Sequence, residues 1–289
     1  MGTVSIRTHQ LLHNPMRQFR DIPKHPYRIL DAPHLANDFY LSLLDWSNKD
    51  MLSVGLGTEV WLWNGNNART SILCNLERYQ DSVSSVCWHR SGESLAVGTR
   101  NGELRTYDAE RRVVLRRYPF AHDRRIGTLD WVGDVISSGS KDGDVQHRDI
   151  RQPSLKPLKR AKAHKDEVCG LKWSGEDIST SSLATGGNDN KVCIWELRGS
   201  KRASGTQLGF WASTGSGDVS RGDAPLWEFR EHTAAVKALA WNPHIRGTLA
   251  TGGGAKDRHI QFWNTIDGKM IHELDTGSQV RSLLVRFVN

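Results

Sequence analysis

Two histidine–aspartate pairs recur at one separation in this 289-residue chain: His164 with Asp189 and His232 with Asp257 stand 25 residues apart in both cases. A paired His and Asp can orient a general base or, with a third donor, hold a metal ion. A Trp follows each aspartate six residues on, at Trp195 and Trp263. The set repeats as a whole and no third type of ligand accompanies it, which favours a structural use. A Trp N–H and an imidazole enclosed among stacked sheets need partners, and an acid in a turn supplies one. The four cysteines, Cys74, Cys87, Cys169 and Cys193, form no C-x-x-C pair. The last three lie in alternating apolar runs, where a free thiol acts as a small hydrophobe in a reducing compartment. Phosphate-binding G-x-x-x-x-G-K-[ST], nucleophile G-x-S-x-G and zinc H-E-x-x-H motifs are absent. Gly252, Gly253 and Gly254 follow a strand-like run with no helix after it to bind phosphate. No catalytic residue, metal or cofactor is expected.

The elements that carry these residues follow from the tryptophans. Trp46, Trp88, Trp131 and Trp173 are 42, 43 and 42 residues apart, and Trp241 follows after 68. A period of about 40–45 residues with a Trp in each unit marks an all-β, WD-repeat type of β-propeller with four strands to a blade. Alternating apolar and polar residues predict strands within each unit, and fourth strands are expected at 70–76, 113–118, 155–159, 226–229 and 269–274. The units fall near 39–77, 81–118, 122–160, 164–230 and 232–275, with a fragment at 279–289. An extended Pro-containing arm is expected over 1–38, and a flexible Gly/Ser-rich insertion over 199–224. Resemblance to WD-repeat blades implies two buried hydrogen-bond chains, one of His164, Thr185, Asp189 and Trp195, the other of His232, Thr251, Asp257 and Trp263. Trp63, Tyr107 and Arg148 occupy the third-strand Trp position of the other units, and Asp142 keeps the turn of the third.

Net charge is +7 with an isoelectric point near 9.3, but the cations are scattered rather than blocked. A mildly basic surface suits an acidic partner, and nucleic acid is not expected. The chain carries no apolar run near the ~20 residues of a membrane span and no apolar leader segment, so no membrane partner is expected and the nucleus and cytoplasm are the expected locations. Arg202-Ala203-Ser204 fits a basophilic kinase site at Ser204.

Several segments are distinctive: IPKHPYRILDAP at 22–33, DFYLSLLDWS at 38–47, LSVGLG at 52–57, EVCGLKWS at 167–174, TGGNDNK at 185–191, AAVKALAW at 234–241, FWNT at 262–265 and DTGSQV at 275–280. Together these resemble the Fizzy and Fizzy-related co-activators of the anaphase-promoting complex, leaning to the Fizzy-related branch. The resemblance implies a substrate-recognition adaptor for that ubiquitin ligase. Its partners would be the ligase and cell-cycle proteins bearing KEN-box or destruction-box degrons. It assigns Asp45, Asn190 and Gln279 to a Lys-Glu-Asn motif, an acid for the Lys and two amides for Glu and Asn. A fourth family position, usually Thr, is Ala255. Asp38 matches the acid that pairs the Arg of a destruction box. As bare residues all four would be solvated loop side chains. A generic WD-repeat scaffold for protein or RNA–protein complexes is the alternative.

The family's propeller has seven blades, whereas the spacing here accounts for about five and a fragment. Val285 stands where the five units have Trp. Arg20-Asp21-Ile22-Pro23 departs from the family's D-R-[FY]-I-P docking box, and the chain ends on Val288-Asn289 rather than Ile-Arg. An open array of this kind is expected to expose an edge, to self-associate and to serve the ligase poorly.

Overall fold

The computed structural model describes residues 24–26, 28–196 and 224–284. Two compact units are distinguished, Met1–Pro33 and His34–Asn289. The described residues of the first carry no helix or strand. The possible phosphorylation site at Ser204 lies outside the described residues.

Among the described residues of the second unit, twenty strands form five antiparallel sheets, each with its strands in chain order from first to fourth. Blade one holds β1 (Leu44–Trp46), β2 (Met51–Leu56), β3 (Glu59–Asn64) and β4 (Thr70–Asn75). Blade two holds β5 (Val83–Trp88), β6 (Ser94–Thr99), β7 (Leu104–Asp108) and β8 (Val113–Tyr118). Blade three holds β9 (Ile126–Val132), β10 (Val135–Ser140), β11 (Asp144–Asp149) and β12 (Lys159–Lys162). Blade four holds β13 (Val168–Trp173), β14 (Ser182–Gly187), β15 (Val192–Glu196) and β16 (Trp227–Phe229). Blade five holds β17 (Val236–Trp241), β18 (Thr248–Gly253), β19 (His259–Asn264) and β20 (Lys269–Asp275). The fourth strand of blade three is a correction: it starts at Lys159, where the expected strand at 155–159 ends. Pro153 and Pro157 cannot donate to a ladder, which delays pairing until Lys159 meets His147.

The core lies between blades rather than within them. Val60, Leu62 and Leu73 of blade one enclose one cluster with Val86, Trp88 and Leu95 of blade two. Similar clusters join blades two and three around Trp131, three and four around Trp173, and four and five around Trp263. The inner strands of blades two, three and four are therefore packed on both faces, and β5 and β9 are buried along their whole length. Blade one has one bare face. Its Leu44 and Trp46 are 54% and 51% exposed, whereas the equivalent Val86 and Trp88 of blade two are 3% and 6%.

Four inner ladders share a β-bulge, with Ser84, Gly127, Cys169 or Lys237 as the extra residue. A bulge re-aims the side chain it carries. Ser84 Oγ donates to Ile126 O of the next blade at 2.7 Å, and Cys169 Sγ reaches Val236 O of the next at 3.5 Å. Lys237 Nζ donates instead to Leu41 O at 2.8 Å, five residues before Trp46 as Ile126 is before Trp131 and Val236 before Trp241.

Candidate functional site

In every blade the first strand runs away from the link that leads into it and the second runs back. The inter-blade links and the turns between second and third strands therefore share one end of the array, the link end.

The His and Asp of the recurring sets lie at this end, and their Thr and Trp carry the hydrogen-bond chain down the sheet. His164 Nδ1 meets Asp189 Oδ1 at 2.8 Å, His164 Nε2 meets Thr185 Oγ1 at 2.9 Å, and Trp195 Nε1 donates to Thr185 Oγ1 at 3.0 Å. The second set repeats this with His232–Asp257 at 2.6 Å, His232–Thr251 at 2.7 Å and Trp263–Thr251 at 2.9 Å. A carboxylate only accepts, so the imidazole donates through Nδ1 and accepts the threonine hydroxyl through Nε2. Burial holds His232 below its usual range, partly offset by Asp257. Burial also pushes Asp257 up, but the Thr233 N–H and His232 outweigh it and hold the carboxyl low. Both ring nitrogens are thus occupied in a buried imidazole, which leaves no base for a substrate. Among the described residues no group of three His, Cys, Asp or Glu could hold a metal ion. Cys87, Cys169 and Cys193 are buried free thiols, and Cys74 is partly buried.

Blade three keeps a weaker version. His122 Nε2 meets Ser138 Oγ at 2.8 Å, and its Nδ1 lies 3.4 Å from Asp142. Arg148 replaces the Trp and is 2% exposed. Its Nη2 donates to Gln146 Oε1 and Ala121 O, while its Nε and Nη1 have no partner. Burial pulls Arg148 down to about 10.

A second cluster occupies the inner part of the link end, and sequence reasoning missed most of it. Arg125 binds Glu167 through two hydrogen bonds, 2.7 Å from Nε and 2.8 Å from Nη2, and its Nη1 donates to Asp38 Oδ2 at 2.9 Å. Glu167 is the main reason the guanidinium is held above its usual range. Asp38 Oδ1 accepts the Tyr40 N–H at 2.9 Å. Tyr40 donates its hydroxyl to Asn188 Oδ1 at 2.8 Å, and Asn188 Nδ2 donates to Asp166 at 2.6 Å. Lys237 and Arg281 cap the Leu41 carbonyl, and Arg281 also reaches Asp38 O at 3.3 Å. Burial pulls the Lys237 amine down to about 8, and the charge of Arg281 adds to the effect. The stretch 38–42 thus touches blades three, four and five. At Gly127 a Cβ would stand 3.1 Å from Tyr40 O, so the missing side chain permits that close approach.

The signal for this cluster was positional. Ser82, Arg125, Glu167, Ala235 and Gln279 each stand directly before the first residue of an inner strand, or before Val280, whose N–H bonds Gly253 O at 3.1 Å as Val83 N–H bonds Gly57 O. Two of the five positions carry opposite charges in adjacent blades, and they pair.

The structure places Asp38, Asn190 and Gln279 on the link end. Asn190 closes the turn between β14 and β15 with φ 64°, half-buried. Gln279 is exposed, as is Ala255 in the corresponding turn of blade five. Asp45 is a correction, since it lies towards the opposite end. It pairs with Ser53, one residue before the strand's end at Trp46. Its Oδ2 accepts the N–H of Trp88, the last residue of β5, at 2.6 Å. The length of β1 separates its carboxylate from the two amides, and burial pushes that carboxyl above its usual range.

A family model described as the CDC20/Fizzy WD40 domain matches residues 30–286. The B-type cell cycle switch protein ccs52A of Medicago truncatula is 42% identical over 273 residues, covering 94% of this chain and 51% of the relative. The APC/C activator protein CDH1 of Saccharomyces cerevisiae is 40% identical over 285 residues, covering 98% and 45%. This chain spans about half the length of the curated relatives it matches. A chain of the crystal structure of the Mitotic Checkpoint Complex superposes with a TM-score of 0.77 at 37% identity, over 92% of this chain and 77% of that one. The chain belongs to the CDC20/Fizzy family of WD40-domain proteins.

Proposed function

We propose that this domain is the degron-reading part of an activator of the anaphase-promoting complex, a non-catalytic adaptor that binds Lys-Glu-Asn and destruction-box peptides on its link end. Support comes from the relatives, among them a protein named as an APC/C activator, and from the spent His–Asp pairs, which offer a substrate no base. The observation that carries the reading is the convergence of Asp38, Asn190 and Gln279 on one end, around the Arg125–Glu167 cluster. Asn190 and Gln279 offer amides to the Glu and Asn of the motif. Asp38 has one contact on each oxygen, leaving lone pairs for an arriving guanidinium to share with Arg125.

A labelled Lys-Glu-Asn peptide titrated by fluorescence anisotropy tests the reading. Asn190→Gly removes the amide while keeping the left-handed backbone, and loss of one or two hydrogen bonds weakens binding by about 5–30-fold. Unchanged affinity in Asn190→Gly and Gln279→Ala together would overturn the assignment. Asp38→Asn is expected to weaken a destruction-box peptide and leave the Lys-Glu-Asn peptide unaffected.

A further inference from the structure

Around the inner cluster, equivalent turns of successive blades carry cations that nothing in the fold uses. Arg100 and Lys141 hold the same place in the turns after β6 and β10. The Arg100 N–H bonds Ser82 O and the Lys141 N–H bonds Arg125 O, both at 2.9 Å, as the Asn188 N–H bonds Glu167 O in blade four. Arg124 and Lys165 stand in the links into blades three and four, and Lys256 in the turn after β18. All five are exposed. Among the described residues none of the five has an ion-pair partner. Two exposed acids of this end face cations and two accept from neutral N–H groups. Asp123 faces Arg160 at 3.8 Å, Asp166 accepts from Asn188 at 2.6 Å, Glu231 accepts the Arg230 N–H at 2.6 Å and Asp275 faces Arg258 at 3.9 Å. Neutral N–H donors leave Asp166 and Glu231 charged, and Glu77 in the link into blade two is exposed without a cation, so the five unpaired cations outnumber these three acids, in a chain whose net charge is +7.

We propose that these five cations hold an acidic segment, a run of Asp and Glu in extended peptide, adjoining the motif bound at the centre. The proposal rests on the reading of the link end as a peptide-binding face. The spacing of the charges selects the ligand. They come from separate turns and links of blades two to five, one at a time, so the ligand must present its negative charges singly along its length. A single phosphate needs several donors converging on one point. A nucleic-acid backbone is a uniform polyanion and would have to pass Asp123 and Asp166. Carboxylates on an extended chain can step between cations and avoid the acids.

Three labelled 20-residue peptides test this on the intact chain: Lys-Glu-Asn with a Gly/Ser flank, Lys-Glu-Asn with an Asp/Glu flank, and the Asp/Glu flank alone. An exposed pair is worth about twofold in affinity, so three or four together give the acidic flank an advantage of about tenfold at low salt. The advantage shrinks as salt rises past the Debye regime. The triple variant Lys141→Gln, Lys165→Gln, Lys256→Gln loses most of it and keeps the affinity for the neutral-flank peptide and the unfolding midpoint. If the neutral-flank peptide fails to bind while the acidic peptide binds in a Lys-dependent way, the central reading falls and the acidic surface stands. Equal affinity for acidic and neutral flanks, or an advantage that survives the triple variant, overturns the proposal. So does single-stranded DNA of matched charge binding more tightly than the acidic peptide.

Discussion

Replacing Arg148 by Trp should stabilise the domain by about 3 kcal/mol. The native guanidinium sits 2% exposed in the slot that Trp195 and Trp263 fill in the next two blades, with no carboxylate beside it. The depression of its pKa from 12.5 to about 10 corresponds to about 3 kcal/mol at ~1.4 kcal/mol per unit. Two unpartnered donors, Nε and Nη1, give a similar figure at about 1–3 kcal/mol each. Removing a buried ion in favour of a well-packed apolar group gains about 1–4 kcal/mol in other proteins, so the two estimates fall in the known range. A Trp here also finds its acceptor, because Ser138 Oγ takes the place of Thr185 and Thr251 against the imidazole. Urea denaturation followed by circular dichroism reads the change as a shift in midpoint at constant slope. Arg148→Leu, which removes the charge without restoring the N–H, should gain less than Arg148→Trp. The reverse swap, Trp263→Arg, should cost several kcal/mol. An Arg148→Trp protein no more stable than the parent would refute the reasoning, since it would mean that the charge is satisfied or that the slot cannot take an indole.

Acid should weaken the fold through its buried histidines. Burial pulls His147 down to about 3 and also lowers His232, so the unfolded chain binds more protons below its own His value near 6.5; stability is full above that value and falls by about 2 kcal/mol between pH 6.5 and 5 through His147, with His232 acting in the same direction, measured by urea midpoints, whereas a flat profile would contradict the burial argument. The bare face of blade one should drive self-association: Leu44→Ser with Trp46→Ser is expected to lower light scattering at high concentration without lowering the unfolding midpoint, and unchanged scattering counts against that face. Lys237→Met removes the bond from blade five to Leu41 O and leaves that carbonyl to Arg281 alone, so faster amide exchange at 38–42 with little change elsewhere is expected, and equal exchange would show the bond to be idle.

The repeat was legible because it is written in large, fixed side chains. From blade two on, the Trp that closes each inner strand packs against the preceding blade, so its spacing reports blade length directly. The register of the His and Asp residues was legible for a similar reason, since each needs partners at one height in the sheet. The third blade was harder. Pro153 and Pro157 shifted β12, and alternation alone does not reveal where a ladder regains its donors. The site was legible only in part. Asp45 matched a motif in sequence, yet the direction of β1 carries it away from Asn190 and Gln279, and no spacing rule records which end of a strand a residue faces. Asn190 illustrates another limit. Its φ of 64° gives Asn a conformational reason to be there, because its short amide tolerates the left-handed region. Arg125 and Glu167 stood out in neither respect, being two charges among many until the blades brought them side by side.

Equivalent positions show how one frame separates scaffold from function. The second-turn aspartate bonded to His is the same in blades four and five, and changing it would cost every strand that packs on it. The residue just before the inner strand is free to vary, and it does: Ser82, Arg125, Glu167, Ala235 and Gln279 share a place but not a chemistry. The bulge position behaves in the same way. Ser84 and Cys169 reach only the neighbouring blade, while Lys237, on the same backbone, reaches back to the start of blade one. A repeat that fixes the backbone at these two places, and leaves the side chain open, can assemble a different set of charges on its link end without disturbing the sheets beneath. The chemistry of this face is therefore read from the differences between blades at positions the backbone makes equal.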